Sequence, residues 1–247
     1  MNVIPFYDDA TATFTWLVVD EKTDRCALID PVLDYNPESG HISAVSADRL
    51  LAYITDNELK VEWLLETHIH ADHLTAAHYL KTKTQAPIGI GANIIAVLDY
   101  WVPIFNTQND TPRDGSQFDH LFTPDEVFSI GTLQARVLFT PGHTAACVNY
   151  VIEDAAFVGD TLFMPYVGTS RADFPGGNAT MLYDSIQKIL SLPKDTRLFT
   201  GHDYPKDGKP ACGESTIEEQ RKYNIMIHDG ISRDDYIERR TQRDATL

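Results

Sequence analysis

The heptapeptide Thr67-His68-Ile69-His70-Ala71-Asp72-His73 constrains this chain more than any other stretch. It packs three imidazoles and a carboxylate into residues 68–73, directly behind the apolar run 61–65, which is broken only by Glu62 and reads as a buried strand. Neutral imidazole nitrogens and ionised carboxylates are the donors that suit zinc, iron and similar ions. In extended backbone His68 and His70 project to the same side, while Asp72 and His73 can turn towards a neighbouring position. A chain that crowds these groups together is expected to set a metal site where a strand ends, with donors enough for one ion or two.

The remainder of the sequence repeats that arrangement. Thr140-Pro141-Gly142-His143 follows the strand-like run 135–139, Gly159-Asp160 follows 155–158, and Gly201-His202-Asp203 follows 198–200. Four strand-like runs therefore end in a potential ligand, a pattern that scattered surface histidines do not produce.

These motifs resemble those of the metallo-β-lactamase superfamily, whose pattern is H-x-H-x-D-H followed by a distant His, a bridging Asp and a final His. From about Phe14 to His202 every position of the pattern is filled. The fold implied is α/β: an αββα four-layer sandwich of two mixed sheets flanked by helices, with the metal site at one end. Within the superfamily the outer residues resemble persulfide dioxygenases. Cys147 in His143-Thr144-Ala145-Ala146-Cys147 stands where thioester hydrolases of the glyoxalase II type usually carry a second His. His202-Asp203-Tyr204, Arg171-Ala172-Asp173-Phe174 and Ser215-Thr216-Ile217-Glu218-Glu219-Gln220-Arg221 are likewise similar to dioxygenase motifs. The stretch after His202 looks short for the separate glutathione-binding domain of glyoxalase II. Two departures stand out: Ala145-Ala146 replaces the usual Pro-Gly, and the spacing from Asp160 to Arg171 is longer than in the dioxygenases.

On the dioxygenase resemblance, His68, His143 and Asp160 bind one Fe(II), leaving positions for a persulfide sulfur and O2. His70, Asp72, His73 and His202 then orient those ligands, with Asp72 available as an acid or base, and Arg171 and Tyr204 bind substrate. The substrate implied is a persulfide of glutathione or a related low-molecular-weight thiol, oxidised to sulfite and thiol. The alternative is a dinuclear zinc hydrolase. There His68, His70 and His143 hold one Zn(II), Asp72, His73 and His202 a second, and Asp160 bridges them, so that a bound hydroxide attacks a thioester, lactone or β-lactam carbonyl. The motif fits both. Outside it, Cys147 reads either as a family marker or as a small buried hydrophobe. Arg171 is either an anion binder or the structural partner of Asp173, and Tyr204 either a packed aromatic or a donor.

A net charge of −16 with no Lys/Arg cluster argues against a nucleic-acid surface. No basic leader with a long apolar run opens the sequence and no run reaches membrane-span length, so a soluble cytoplasmic protein is expected. Cys26, Cys147 and Cys212 are widely spaced and odd in number, which fits free thiols. With no linker or repeat in sight, the 247 residues are expected to form one domain with a helix/loop insertion near 93–119 and a short extension, 205–247. The aromatic cluster Tyr100, Trp101 and Phe105 makes that insertion a candidate lid or homodimer contact. A hairpin is expected from 13–19 and 26–29. Residues 46–59 read as an amphipathic helix with Ser46 as N-cap, and Asn178 caps another that stops at Pro193.

Overall fold

The computed structural model describes residues 1–205 and 208–247. Its first half runs β1 (Asn2–Asp8), β2 (Thr13–Asp20), β3 (Arg25–Ile29), β4 (Val32–Asn36), β5 (His41–Ser43), α1 (Val45–Asp56), β6 (Lys60–Leu65), β7 (Leu74–Thr75), α2 (Ala77–Thr84), β8 (Ile88–Gly91), α3 (Ile94–Phe105) and β9 (His120–Phe122). The second half runs β10 (Val127–Ile130), β11 (Leu133–Phe139), β12 (Val148–Ile152), β13 (Ala155–Gly159), α4 (Ala179–Leu190), β14 (Arg197–Thr200), β15 (Glu214–Thr216), α5 (Ile217–Tyr223) and α6 (Arg233–Asp244).

Each half builds one six-stranded mixed sheet, in the orders β1-β2-β3-β6-β8-β9 and β10-β11-β12-β13-β14-β15. A small sheet, β5-β4-β7, stands beside them. The expected hairpin forms, with Val19 opposite Cys26, and β3, β6, β8 and β9 then run parallel. In the second sheet β13 and β14 pair in parallel, and among the described residues the other neighbouring strands pair antiparallel.

Strand β2 shows why two sheets stack. All eight of its residues are buried, because both of its faces are covered. Phe14, Trp16 and Val18 point into the space between the sheets, where they meet Val137, Tyr150, Phe157 and Phe199. Leu17 and Val19 point the other way, under α1 and α2, with Leu50, Ile54 and Leu80. The second sheet repeats the logic: Ala156, Val158 and Leu198 pack outward against Leu182 and Ile186 of α4 and Tyr236 of α6. The result is the expected order of helices, sheet, sheet, helices. The elements β15 and α6, which follow His202, are built into it, since β15 pairs with β14 and α6 packs on α4.

Two helix starts separate local from tertiary control. Asn178 caps α4 as expected, its side chain accepting from the backbone N–H groups of Thr180 and Met181 at 2.8 and 3.0 Å. Ser46 does not cap α1. That helix begins one residue earlier with Ala44 at the cap position, and ends at Asp56 rather than running to Leu59. Asp34 of β4 takes over the capping role: its carboxylate accepts from the Ser46 backbone N–H at 2.9 Å and from the Ser46 hydroxyl at 2.6 Å.

Candidate metal centre

The four strand ends singled out by the sequence converge at one edge of the sandwich. His68 follows the end of β6, His143 lies in the loop after β11, Asp160 directly follows β13 and His202 lies two residues beyond β14. Glycine makes the convergence possible at two points. Gly159 adopts φ +46, and a Cβ there would lie 2.4 Å from the Thr67 hydroxyl; a Cβ on Gly201 would lie 2.7 Å from Asp160 Oδ1.

Among the described residues, three groups bring metal-binding donors within 4.8 Å of one another: His68, His143 and Asp160; His70, Asp72 and His73; and Asp30, Glu66 and His70. The first is buried throughout. Asp160 Oδ2 lies 3.6 Å from His143 Nε2 and 4.0 Å from His68 Nε2, while Oδ1 lies 3.3 Å from His202 Nε2. His202 Nε2 is also 3.3 Å from Asp72 Oδ2, whose side chain stays 45 % exposed at the mouth of the site.

Hydrogen bonding fixes how the imidazoles face inward. The Thr67 hydroxyl donates to Asp30 at 2.8 Å, so its single hydrogen is committed and His68 Nδ1–H must donate to Thr67 at 2.9 Å. His143 Nδ1–H donates to the Arg171 carbonyl at 2.9 Å, His202 Nδ1–H to the Ala12 carbonyl at 3.1 Å and His73 Nδ1–H to the Leu74 carbonyl at 3.2 Å. Each leaves the Nε2 lone pair free. His70 is reversed: its Nε2 faces Asp30 at 3.2 Å and Glu66 at 3.3 Å, and its Nδ1 is buried without a partner. Asp160 Oδ1 and His73 Nε2 are likewise buried and unpartnered. Buried polar atoms left in this way are costly unless something satisfies them, and nitrogen and carboxylate donors in this number fit a divalent metal.

Electrostatics agree with that reading. Burial, reinforced by the neighbouring imidazoles, holds His68 well below the ordinary histidine pKa, and burial beside His70 pushes His73 down to about 4. Both candidate donors are therefore neutral at physiological pH. Burial would lower His70 too, but the Asp30 and Glu66 carboxylates outweigh it and hold the imidazole well above its usual value. Burial raises Glu66, whereas the bonds from His70 and Thr67 keep Asp30 ionised despite its burial.

Asp30 and Glu66 escaped the sequence reading. Asp30 aligns two candidate ligands at once, through Thr67 to His68 and directly to His70. Replacing Asp30 by Asn should therefore weaken metal binding by about 10- to 100-fold, measured by competition with a chromogenic chelator. Unchanged affinity in a folded variant would show that neither imidazole depends on it. The other sequence candidates fall as follows. Arg171 lines the cleft but is held by Asp173 in two bonds of 2.6 and 2.7 Å, with its guanidinium 4.8 Å above the Phe174 ring. Tyr204 stacks on His202, the ring centroids 6.0 Å apart. Cys147 is buried, receives the Thr144 backbone N–H at 3.3 Å, and has its thiol pushed up to about 12 by burial, so it is a packed hydrophobe and not a nucleophile.

A sequence profile of the Metallo-beta-lactamase superfamily matches residues 8–202, which include every residue of the three donor groups and His202. The chain belongs to that superfamily. Among superfamily proteins, Glyoxylase B2 of Dictyostelium discoideum is 49 % identical over 251 residues, covering all of this chain and 85 % of its own length. A beta-lactamase hydrolase-like protein of Xylella fastidiosa is also 49 % identical, over 246 residues, but this chain spans only 57 % of its length. The mitochondrial persulfide dioxygenase ETHE1 of Homo sapiens is 28 % identical over 224 residues, 90 % of this chain and 74 % of that protein. In three dimensions the chain superposes on the crystal structure of ETHE1 from Myxococcus xanthus with a TM-score of 0.77 and 30 % identity, covering 99 % of this chain and 92 % of the other. Among the described residues no helix is long and apolar enough to cross a membrane.

Proposed function

We propose that this protein is an Fe(II)-dependent persulfide dioxygenase that converts the persulfide of glutathione, or of a related low-molecular-weight thiol, to sulfite and the free thiol. The observation that carries the reading is the grouping of donors. His68, His143 and Asp160 form a compact buried set of two imidazoles and one carboxylate, the ligand type of iron sites that keep open positions for dioxygen. The sets required by a dinuclear hydrolase, His68 with His70 and His143, and Asp72 with His73 and His202, are not among the groups drawn together within 4.8 Å.

The reaction balances as one persulfide, one dioxygen and one water giving one thiol and one sulfite, the outer sulfur being oxidised and dioxygen reduced. Iron, when bound, supplies the redox chemistry with dioxygen that side chains lack. The Arg171 and Thr67 contacts hold His143 and His68 with their lone pairs towards the site. Phe163 and Phe174 line the cleft edge-on to His202 and His143 and make its wall beside the triad apolar. Asp72, exposed at the mouth beside His202, is placed to take the proton from an incoming persulfide.

A second reading, hydrolysis of a thioester or other acyl substrate by two Zn(II) ions, is supported by His202, whose Nε2 lies 3.3 Å from both Asp72 and Asp160 and joins the two donor sets. The two 49 % identical relatives, a glyoxylase and a hydrolase-like protein, point the same way. One experiment separates the readings. Protein loaded with Fe(II) under anaerobic conditions is given glutathione persulfide, and dioxygen uptake, sulfite and metal content are measured on one sample. Uptake matched by sulfite at one iron per chain is the expected result. No uptake, with two zinc ions per chain and thioester cleavage, would replace it by the hydrolase.

A further inference from the structure

The cleft above the triad encloses about 1040 Å3, at the upper end of the ~300–1,000 Å3 range of small-molecule sites. Its rims are chemically unlike. One is α3, which contributes Val97, Leu98, Trp101, Val102 and Phe105 to the lining. This helix packs on Ile90 and Ala146 through its buried face, yet Phe105 remains 66 % exposed, stacked on Trp101 with ring centroids 5.2 Å apart. The other rim is the end of α6, which brings Arg240 and Arg243 to the cleft from the side of the second sheet. Arg240 is engaged by Asp244, and Arg171 by Asp173. Arg243 forms no ion pair among the described residues and reaches only the Val167 carbonyl, at 3.5 Å. In a chain of net charge −16, a guanidinium without a carboxylate partner beside a cavity is a place for a ligand's anion.

We propose that the cleft takes a three-armed thiol derivative: its sulfur at the triad, an apolar arm along Trp101 and Phe105, and an anionic arm at Arg243. A cysteine with an apolar N-acyl group and a free carboxylate has this chemistry. The apolar arm matches the α3 rim in a way that the charged amino end of a glutathione-type substrate does not, because no side chain of α3 that lines the cleft carries a carboxylate or other hydrogen-bond acceptor for an ammonium group. The placement of the sulfur rests on the persulfide reading; the two other arms do not.

The test is isothermal titration calorimetry on metal-loaded protein with S-methyl-N-acetyl-, N-butanoyl- and N-hexanoylcysteine, which bind without a persulfide to react. Affinity should rise by at least about tenfold from acetyl to hexanoyl, as expected when part of each added methylene leaves water. Trp101→Ala should flatten that slope, and so should Phe105→Ala, which removes a largely exposed ring and leaves the core intact. Converting the carboxylate to a carboxamide should weaken binding about fivefold at low salt, and the difference should vanish in Arg243→Ala. A flat chain-length series, a slope unchanged in Phe105→Ala, or equal affinity of acid and amide would overturn the proposal. Oxygen uptake from glutathione persulfide with a flat series would remove this proposal alone. Intact slopes without uptake would support it and remove the oxidation reading alone.

Discussion

Replacing His143 by alanine is expected to strip the site of metal and to lower kcat/KM by about 10^3-fold or more, the scale of several kcal/mol of lost metal-dependent stabilisation. The reason is its position at the centre of the donor set. Its Nε2 is 3.6 Å from Asp160 Oδ2, its ring centroid lies 5.2 Å from that of His68, and its Nδ1–H is tied to the Arg171 carbonyl. Removing the ring deletes a donor under either catalytic reading and leaves Asp160 facing one fewer partner in a buried pocket. Cys147→Ser is the matched control. That side chain lies four residues further on, is buried against Thr144 and belongs to none of the three donor groups, so metal content and turnover should change little. Metal analysis and steady-state rates on both variants decide the matter. Full metal content and turnover in His143→Ala would rule out the proposed centre.

The legibility of this site in the sequence follows from where its information is stored. The candidate donors at strand ends were readable because each strand is a short apolar run and each donor follows it within a few residues; β6, β11, β13 and β14 all cover the anticipated runs. The Asn178 cap was readable for the same reason, since its partners are two and three residues away. Asp30 was not readable, although it too ends an apolar strand and precedes a proline. Its importance lies in bonds to Thr67 and His70, 37 and 40 residues distant, which exist only once β3 and β6 run side by side. The capping of α1 by Asp34 failed to show for the same physical cause, a tertiary carboxylate displacing a local serine. Glu66 sits next to the motif yet looked like an ordinary strand-end charge; only its burial beside His70 gives it a role. The rims of the cleft lay furthest out of reach, because α3 and α6 are separated by more than half the chain.

Asp244→Ala is expected to destabilise the fold by about 3–5 kcal/mol, the penalty for leaving one member of a buried ion pair without the other. Arg240 is 1 % exposed, with Nη2 at 2.5 Å from Asp244 Oδ1, Nη1 donating to the Thr169 carbonyl at 3.1 Å, and Nε already without a partner. Asp244 Oδ2 also accepts the Ala172 backbone N–H at 3.0 Å. Truncation therefore strands a buried charge and a buried amide together. For a domain of this size that corresponds to a fall in Tm on the order of 10 °C. The exposed pair of Arg197 and Asp154 gives the comparison: Asp154→Ala should cost no more than about 1 kcal/mol, because solvent screens both partners. Replacing both buried members, Arg240→Met with Asp244→Leu, should recover most of the loss, since no charge is then left in the interior. Thermal unfolding of the three variants tests this, and an Asp244→Ala protein as stable as the parent would mean that water reaches Arg240. The segment that Asp244 and Arg240 anchor, Thr169 to Ala172, also carries the carbonyl that orients His143. Loosening it should raise KM as well, which ties the terminal helix to the geometry of the centre and not to stability alone.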